Sequence, residues 1–193
     1  MPRYLALLRG INVGGRNKVA MADLRDLAAA AGLADATTYI QSGNLVFSSA
    51  EAGTAELADL LEAEIASRLG VAPAVVVLSA SELKQVIADN PFPHETNPKC
   101  LHAVFRRDEV GPAGIAAIAA AVQQARDAGS RDKATVVGRT LFVHTPDGFG
   151  RSELAAKLTG SKVQATGTAR NWATVTKLMG MLDAPVNARG DGG

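Results

Sequence analysis

The 193-residue sequence contains few of the residue types that mark several large classes of protein. It has a single cysteine, Cys100, which excludes an internal disulfide and any cysteine-rich zinc site. Aromatic residues make up only 4% of the chain, too few for platforms that stack several bases. The formal net charge is only +1, whereas a protein that coats a polyanion is strongly basic overall.

The sequence also lacks any run that approaches the roughly 20 apolar residues of a membrane helix. The apolar stretch Tyr4–Leu8 is too short for a signal peptide, and a polar loop follows it at once. We therefore expect a soluble, cytoplasmic protein with no membrane partner. The histidines His94, His102 and His144 are far apart and in no metal-ligand spacing, so neither a metal nor another cofactor is expected.

Hydrophobic periodicity divides the first half of the chain into six main elements. Tyr4–Leu8 is almost wholly apolar, as expected of a central strand that is buried on both faces. The predicted order is strand 4–8, a helix ended by Gly32, strands 37–41 and 45–48 around a Ser42-Gly43-Asn44 turn, a helix ended by Gly70, and strand 73–78. This order is that of a ferredoxin-like, split βαβ unit.

The second half repeats this order after a short helix that opens at Ser79 and a boundary marked by Pro91, Pro93 and Pro98. The predicted elements are strand 101–105, a helix opened by Pro112, strands 134–137 and 141–144, a helix ended by Gly160, a short strand 162–165 and a helix capped by Asn171. We predict an α+β fold: a two-layer, ferredoxin-like unit with a related second half, a pseudo-duplication inferred from element order alone. The predicted domains are residues 1-92 and 98-183, with a flexible tail at 184-193.

The segment Arg9–Lys18, which joins the first strand to the first helix, is the main candidate for a functional surface. It reads RGINVGGRNK, with three glycines, two asparagines and three cations but no acid. Glycines let backbone N–H groups approach an anion, and the cations and asparagines add charge and hydrogen bonds. In a split βαβ unit the hairpin between strands 2 and 3 emerges at the same end of the sheet. The predicted ligand-binding residues are Arg9, Asn12, Gly14, Gly15, Arg16, Asn17, Lys18, Ser42 and Asn44.

Neither common nucleotide-binding motif fits this loop. Lys18 is followed by Val19 rather than by serine or threonine, and the glycine spacing matches neither the P-loop nor the dinucleotide pattern. The alternative interpretation is that the glycines only form a tight turn and the cations are solvated.

A second glycine-rich segment, Asp147–Ser152, precedes a helix in the second half. Five cations and one acid, Glu153, lie between residues 151 and 177, so positive charge is concentrated here and in the opening loop. The predicted ligand-binding residues of this group are Gly150, Arg151, Ser152, Arg170 and Asn171. The alternative is that Asp147-Gly148 is a turn, Ser152 a helix cap and Trp172 part of the core.

Four segments together resemble the bacterial family catalogued as domain of unknown function 1697. They are RGINVGGRNK (9–18), YIQSGNLVF (39–47), PDGFGRS (146–152) and TARNW (168–172) with Thr174 and Val175. The resemblance runs from the first strand to the terminal helix and implies a compact α+β protein built from two related halves, without implying an activity. The family usually has lysine at the position of Glu153 and asparagine at that of Ala173. We expect a different affinity or selectivity if either side chain contacts a ligand.

Three functions are compatible with these features. The first is binding of a phosphate-bearing small molecule, a nucleotide or a nucleic acid, with the two glycine-rich segments forming one basic groove. The second is an enzyme that acts on a phosphorylated or acidic small molecule through Asp147 or Ser152, for which the sequence shows no partner base. The third is a protein-interaction module, in which the duplicated sheets or the terminal helix form a dimer surface; size-exclusion chromatography with light scattering tests it.

Overall fold

The first half of the chain forms a four-stranded antiparallel sheet with two helices on one face. The computed structural model describes residues 1–15, 17–51, 53–160 and 167–185. The elements are β1 (Arg3–Leu8), α1 (Met21–Ala30), β2 (Ala34–Tyr39), β3 (Asn44–Ser48), α2 (Thr54–Leu69) and β4 (Val75–Ser79). The strand order β2-β3-β1-β4 places β1 and β3 in the centre. Every residue of β1 after the first is buried, which confirms the interpretation of its apolar sequence as a central strand.

The second half forms a second antiparallel sheet with the same topology. Its elements are β5 (Leu101–Phe105), α4 (Pro112–Asp127), β6 (Lys133–Val137), β7 (Thr140–His144), α5 (Glu153–Thr159) and β8 (Thr168–Asn171). The strand order β6-β7-β5-β8 repeats the order of the first sheet, element for element. The predicted pseudo-duplication of a ferredoxin-like α+β unit is therefore confirmed.

Two further helices, α3 (Ala80–Ala88) and α6 (Trp172–Asp183), follow the two sheets and pack between them. They share one apolar cluster with the inner faces of both sheets, which includes Leu5 and Leu7 of β1 and Phe105 of β5. Helices α1 and α2 cover the outer face of the first sheet, and α4 and α5 cover that of the second. Because both faces of each sheet are covered, the middle of each central strand is apolar.

Two predicted strands differ from the observed ones by more than one residue at an end. Strand β4 spans Val75–Ser79 rather than 73–78. Strand β2 spans Ala34–Tyr39 rather than 37–41, and it ends at Tyr39 because Ile40 adopts a left-handed backbone with φ 49°. The predicted strand 162–165 lies outside the described residues, as do residues 186–193 of the predicted tail. The last described strand is β8, which pairs with β5. Its sequence, Thr-Ala-Arg-Asn, carries no apolar alternation that marks a strand.

Among the helices of the described residues, none combines the length and the hydropathy needed to cross a membrane.

Candidate functional site

The opening loop lies against the β2–β3 hairpin, as the ferredoxin-like topology predicts. The backbone N–H of Leu8 donates to the Gly43 carbonyl at 2.8 Å, and the Asn12 side chain donates to the Gln41 carbonyl at 2.9 Å. Gly43 has φ 75°, and a Cβ there would lie 2.8 Å from atoms of both Leu8 and Ile11. The loop and the hairpin therefore form one continuous surface, residues 9–15, 17–18 and 40–43, which we call the loop surface.

The two asparagines of the opening loop hold its backbone. Asn12 Nδ2 donates to the Val19 carbonyl and Asn12 Oδ1 accepts from the Val19 N–H, both at 2.9 Å. Asn17 Nδ2 donates to the Gly10 carbonyl at 3.2 Å. The side chain of Ile11 is buried and anchors the loop to the core below. The loop is thus ordered by its own side chains, and the asparagine amides are used within it.

The outer part of the loop surface carries positive charge, glycine backbone and two apolar side chains. Lys18, Gly14 and Gly15 are exposed, whereas Arg9 is half-buried and its Nη1 is buried with no hydrogen-bond partner among the described residues. Val13 is 66% exposed and Ile40 is 52% exposed. Arg16 lies outside the described residues. A positive φ is rare for a β-branched residue such as Ile40, and such backbone strain is concentrated at functional sites.

Arg170 lies beneath the loop surface and is only 7% exposed. Its Nε donates to Asn44 Oδ1 at 2.5 Å, and its Nη2 donates to the carbonyls of Leu8 at 3.0 Å and Ser42 at 2.8 Å. Its Nη1 donates to Thr168 Oγ1 at 2.6 Å. These acceptors are neutral, and no carboxylate of the described residues forms an ion pair with Arg170. Burial lowers the pKa of Arg170 to about 10, so the guanidinium remains charged at neutral pH.

The two predicted hairpin residues are bound to each other and to the hairpin. Asn44 is fully buried, and its Nδ2 donates to the Tyr39 carbonyl at 3.0 Å and to Ser42 Oγ at 2.9 Å. Because both ends of the Asn44 amide are occupied, its role is to seat Arg170 and close the hairpin. Ser42 is half-buried and belongs to the loop surface.

The second glycine-rich segment, Asp147–Ser152, lies at the other end of the second sheet. Strand β5 begins at Leu101, which pairs with His144 shortly before this segment. It ends at Phe105, which pairs with Thr168 beside the loop surface. A strand of this length spans roughly 15 Å. The expectation of one basic groove is therefore wrong, since the second sheet separates the two segments and Arg170 lies beneath the loop surface.

The remaining polar residues of the second group cap helices. Ser152 Oγ accepts from the Ala155 N–H at 2.8 Å, and Asn171 Oδ1 accepts from the Thr174 N–H at 2.8 Å. Ser152 is the N-cap of α5, which was the alternative to its predicted role in ligand binding. Asn171 is the N-cap of α6, as the sequence predicted. Gly150 and Arg151 are exposed.

The model of the family described as protein of unknown function (DUF1697) matches residues 1–142 of the chain. The chain belongs to this family. The match includes the loop surface but ends before Asp147–Ser152 and Arg170, although the resemblance in sequence motifs extended to the terminal helix.

One solved structure similar to this DUF1697 protein is a conserved bacterial protein from Streptococcus pneumoniae. The two chains are 24% identical and superpose with a TM-score of 0.76, over 94% of this chain and 99% of the other. At that identity the likeness shows the shared fold alone. No curated protein sequence matches the chain.

In this member of the DUF1697 family, Ser152 has a buried partner that sequence reasoning missed. Ser152 Oγ donates to Asp132 Oδ2 at 2.7 Å, and both residues are buried. Asp147 is exposed and paired with Arg131, whose hydrogen bond lowers the pKa of Asp147. A cavity of about 470 Å³ lies beside both pairs. No local pattern links Asp132 to Ser152, because 20 positions separate them.

The described histidines occupy separate sites. His144 Nε2 lies 2.6 Å from Glu95 Oε2, with Phe92 stacked on the imidazole, and this contact lowers the pKa of Glu95. His102 stacks on Phe149 with ring centroids 3.7 Å apart. Within the described residues, no group of three or more metal-ligating side chains converges on a common point.

We expect His102 to remain neutral well below pH 6. Burial lowers its pKa from 6.5 to about 4. Between those values the unfolded chain binds a proton that the native state does not, so the free energy of unfolding falls as the pH falls, by about 1–2 kcal/mol after allowance for partial exposure. Proton NMR titration of the His102 imidazole checks this. A His102 midpoint near 6.5, the ordinary value for histidine, would contradict the prediction.

Proposed function

We propose that this protein binds a small phosphate-bearing molecule, such as a nucleotide, at the loop surface. The observation that carries the proposal is the positive charge at this surface, which no carboxylate of the described residues offsets through an ion pair. Arg170 supplies a buried cation beneath it whose hydrogen-bond acceptors are neutral. Arg9 supplies a second cation with a buried, unpartnered Nη1. A buried charged donor without a partner is unfavourable, and an anion bound at Arg9 relieves that cost.

The form of the loop also suits an organic phosphate. The exposed backbone at Gly14 and Gly15 lets an anion approach without obstruction by a Cβ. Lys18 adds an exposed ammonium group at the same surface. Val13 and Ile40 provide apolar contact for the organic part of the ligand. Inorganic phosphate has no such part. The scarcity of aromatic side chains and the small net charge favour a small molecule over a nucleic acid.

We expect Arg9→Gln to weaken binding of ADP by about tenfold, because a hydrogen bond to a charged group contributes roughly 1.5–3 kcal/mol. Isothermal titration calorimetry with ADP and with inorganic pyrophosphate is the measurement. The matched control is Arg126→Gln, which removes an exposed cation from α4 in the other half and should leave affinity unchanged. Equal affinity of the two variants would contradict the role of Arg9. If a single-stranded oligonucleotide bound more tightly than ADP, and its affinity fell steeply with salt, the ligand would be a nucleic acid.

A second candidate function is catalysis at Ser152, favoured by the Ser152–Asp132 hydrogen bond of 2.7 Å. In this candidate function Asp132 acts as the partner base, which the sequence alone did not reveal. The adjoining cavity of about 470 Å³ is large enough for a small acidic substrate. The cap that Ser152 provides to α5 is a competing, structural role for the same hydroxyl. The test is Ser152→Ala against Ser152→Thr in a screen of phosphate esters. Turnover by the wild type that is lost in alanine and kept in threonine supports catalysis, and turnover kept in alanine excludes it.

A further inference from the structure

A cavity of about 190 Å³ lies where the two halves of the chain meet, between α3 and the β6–β7 hairpin. Its apolar walls come from both halves. Leu78 and Val86 belong to the first half, and Phe105, Val137 and Phe142 belong to the second. Leu78, Phe105 and Phe142 are buried, so the floor of the cavity is hydrocarbon and aromatic surface. Ligand sites in proteins are found preferentially at such junctions between domains.

One cation at this cavity, Arg106, has a side-chain nitrogen with no hydrogen-bond partner among the described residues. Arg106 lines it, and Arg106 Nε is buried without a hydrogen bond. The other arginine of the wall, Arg139, is already paired: its Nη2 lies 2.6 Å from Glu82 Oε1, and its Nη1 donates to the Arg107 carbonyl at 3.0 Å. The charges of Arg139 and Glu82 therefore offset each other. Arg106 is therefore the cation of the lining whose Nε has no acceptor among the described residues.

Three more polar groups border the cavity. Thr140 is buried and pairs with Phe105 across the sheet, so its side chain shares the inner face. Asp89 and Gln85 lie at the exposed rim, where the Gln85 side chain donates to Asp89 Oδ1 at 2.8 Å. The acid of the rim is thus exposed and bound by an amide, whereas Arg106 Nε has no hydrogen-bond acceptor among the described residues. The arrangement combines an apolar floor with one cation that requires an acceptor.

We propose that this cavity binds a small carboxylate that carries an aromatic or branched apolar group. The carboxylate accepts hydrogen bonds from Arg106, and the apolar group fills the space between Val86, Phe105 and Phe142. The volume fits this class, because an apolar cavity of about 150 Å³ accommodates benzene. The site is separate from the loop surface, and its ligand needs no phosphate.

The experiment is an NMR titration of the full chain with sodium benzoate, with benzamide as the neutral ligand of the same shape. We expect saturable shifts at Val86 and Thr140, which lie on opposite walls, and weaker binding of benzamide by about tenfold or more. Arg106→Gln should weaken benzoate binding by a similar factor. The control Lys84→Gln removes an exposed cation of α3 that does not line the cavity, and should bind benzoate as the wild type does.

A second variant, Val86→Phe, keeps the proposal testable if loss of Arg106 disturbs the fold. It fills the cavity from α3 and should abolish benzoate binding while the remaining spectrum stays native. Equal binding of benzoate and benzamide, or of Arg106→Gln and the wild type, would overturn the proposal. Shifts confined to residues 9–18 would overturn it as well. Arg9→Gln, which tests the loop surface, should leave benzoate binding unchanged, so the two proposals fail independently.

Discussion

Replacing Arg170 with methionine should lower the free energy of unfolding by about 3–5 kcal/mol. The substitution keeps much of the apolar stem but leaves the buried oxygens of Leu8, Ser42 and Asn44 without the donor that they share. Each buried acceptor that loses its partner costs roughly 1–3 kcal/mol, and release of the buried charge offsets part of the total. Urea denaturation followed by circular dichroism measures the change.

Two further variants make the Arg170 prediction specific. Arg151→Met removes an exposed arginine from the other end of the sheet and should change stability by about 0.5 kcal/mol or less. Arg170→Lys keeps the charge but loses the planar set of donors, so its effect should lie between the other two. If Arg170→Met lowered the free energy of unfolding as little as Arg151→Met, the hydrogen bonds from Arg170 to the first half of the chain would not stabilise the fold.

Replacing Gly43 with alanine should cost about 3 kcal/mol or more, from the sum of a left-handed backbone and an overpacked contact. Gly43 has φ 75°, and its added Cβ would lie 2.8 Å from Leu8 Cβ and from the Ile11 side chain. The Leu8 Cβ is fixed to the backbone of central strand β1, so it cannot turn aside as the terminal methyl of Ile11 can. The opening loop would therefore be displaced from the hairpin. Thermal unfolding, with the free energy of unfolding taken from urea titrations, gives the measurement.

Gly138 offers a matched control, because it occupies the β6–β7 hairpin of the second half. Its φ is also positive, at 54°, but an added Cβ would meet nothing within 4 Å. Gly138→Ala should cost only about 1–2 kcal/mol, from backbone strain alone. Equal losses in the two variants would show that contact between the hairpin and the opening loop contributes nothing at Gly43.

The fold was largely predictable because its signals are local. The apolar run of β1 and the turn at Gly43 each follow from a few adjacent residues, and the order of such elements specifies the ferredoxin-like topology. Strand β8 was missed because Thr168 and Arg170 are buried for reasons of hydrogen bonding rather than hydrophobicity. Tertiary contacts, not composition, determine its position.

The candidate site was predictable only in part. The neighbourhood of the opening loop and the hairpin follows from topology, and both lie where the sequence places them. The position of Arg170 does not follow, because its partners in the first half lie 126 to 162 positions away and are neutral oxygens that no charge pattern reveals. Asp132 was missed for the same reason, since its partner Ser152 carries no complementary charge. Side chains that bind backbone carbonyls leave little trace in a sequence.

The central claim, that the loop surface binds a phosphate-bearing molecule, is tested most directly by mapping amide shifts in an ¹⁵N-labelled sample during titration with ADP. The account predicts saturable shifts at Gly14, Gly15 and Lys18, which weaken in Arg9→Gln and persist in Arg126→Gln. Amides of the loop that do not move at millimolar ADP, or shifts centred instead on Asp147–Ser152, would contradict it.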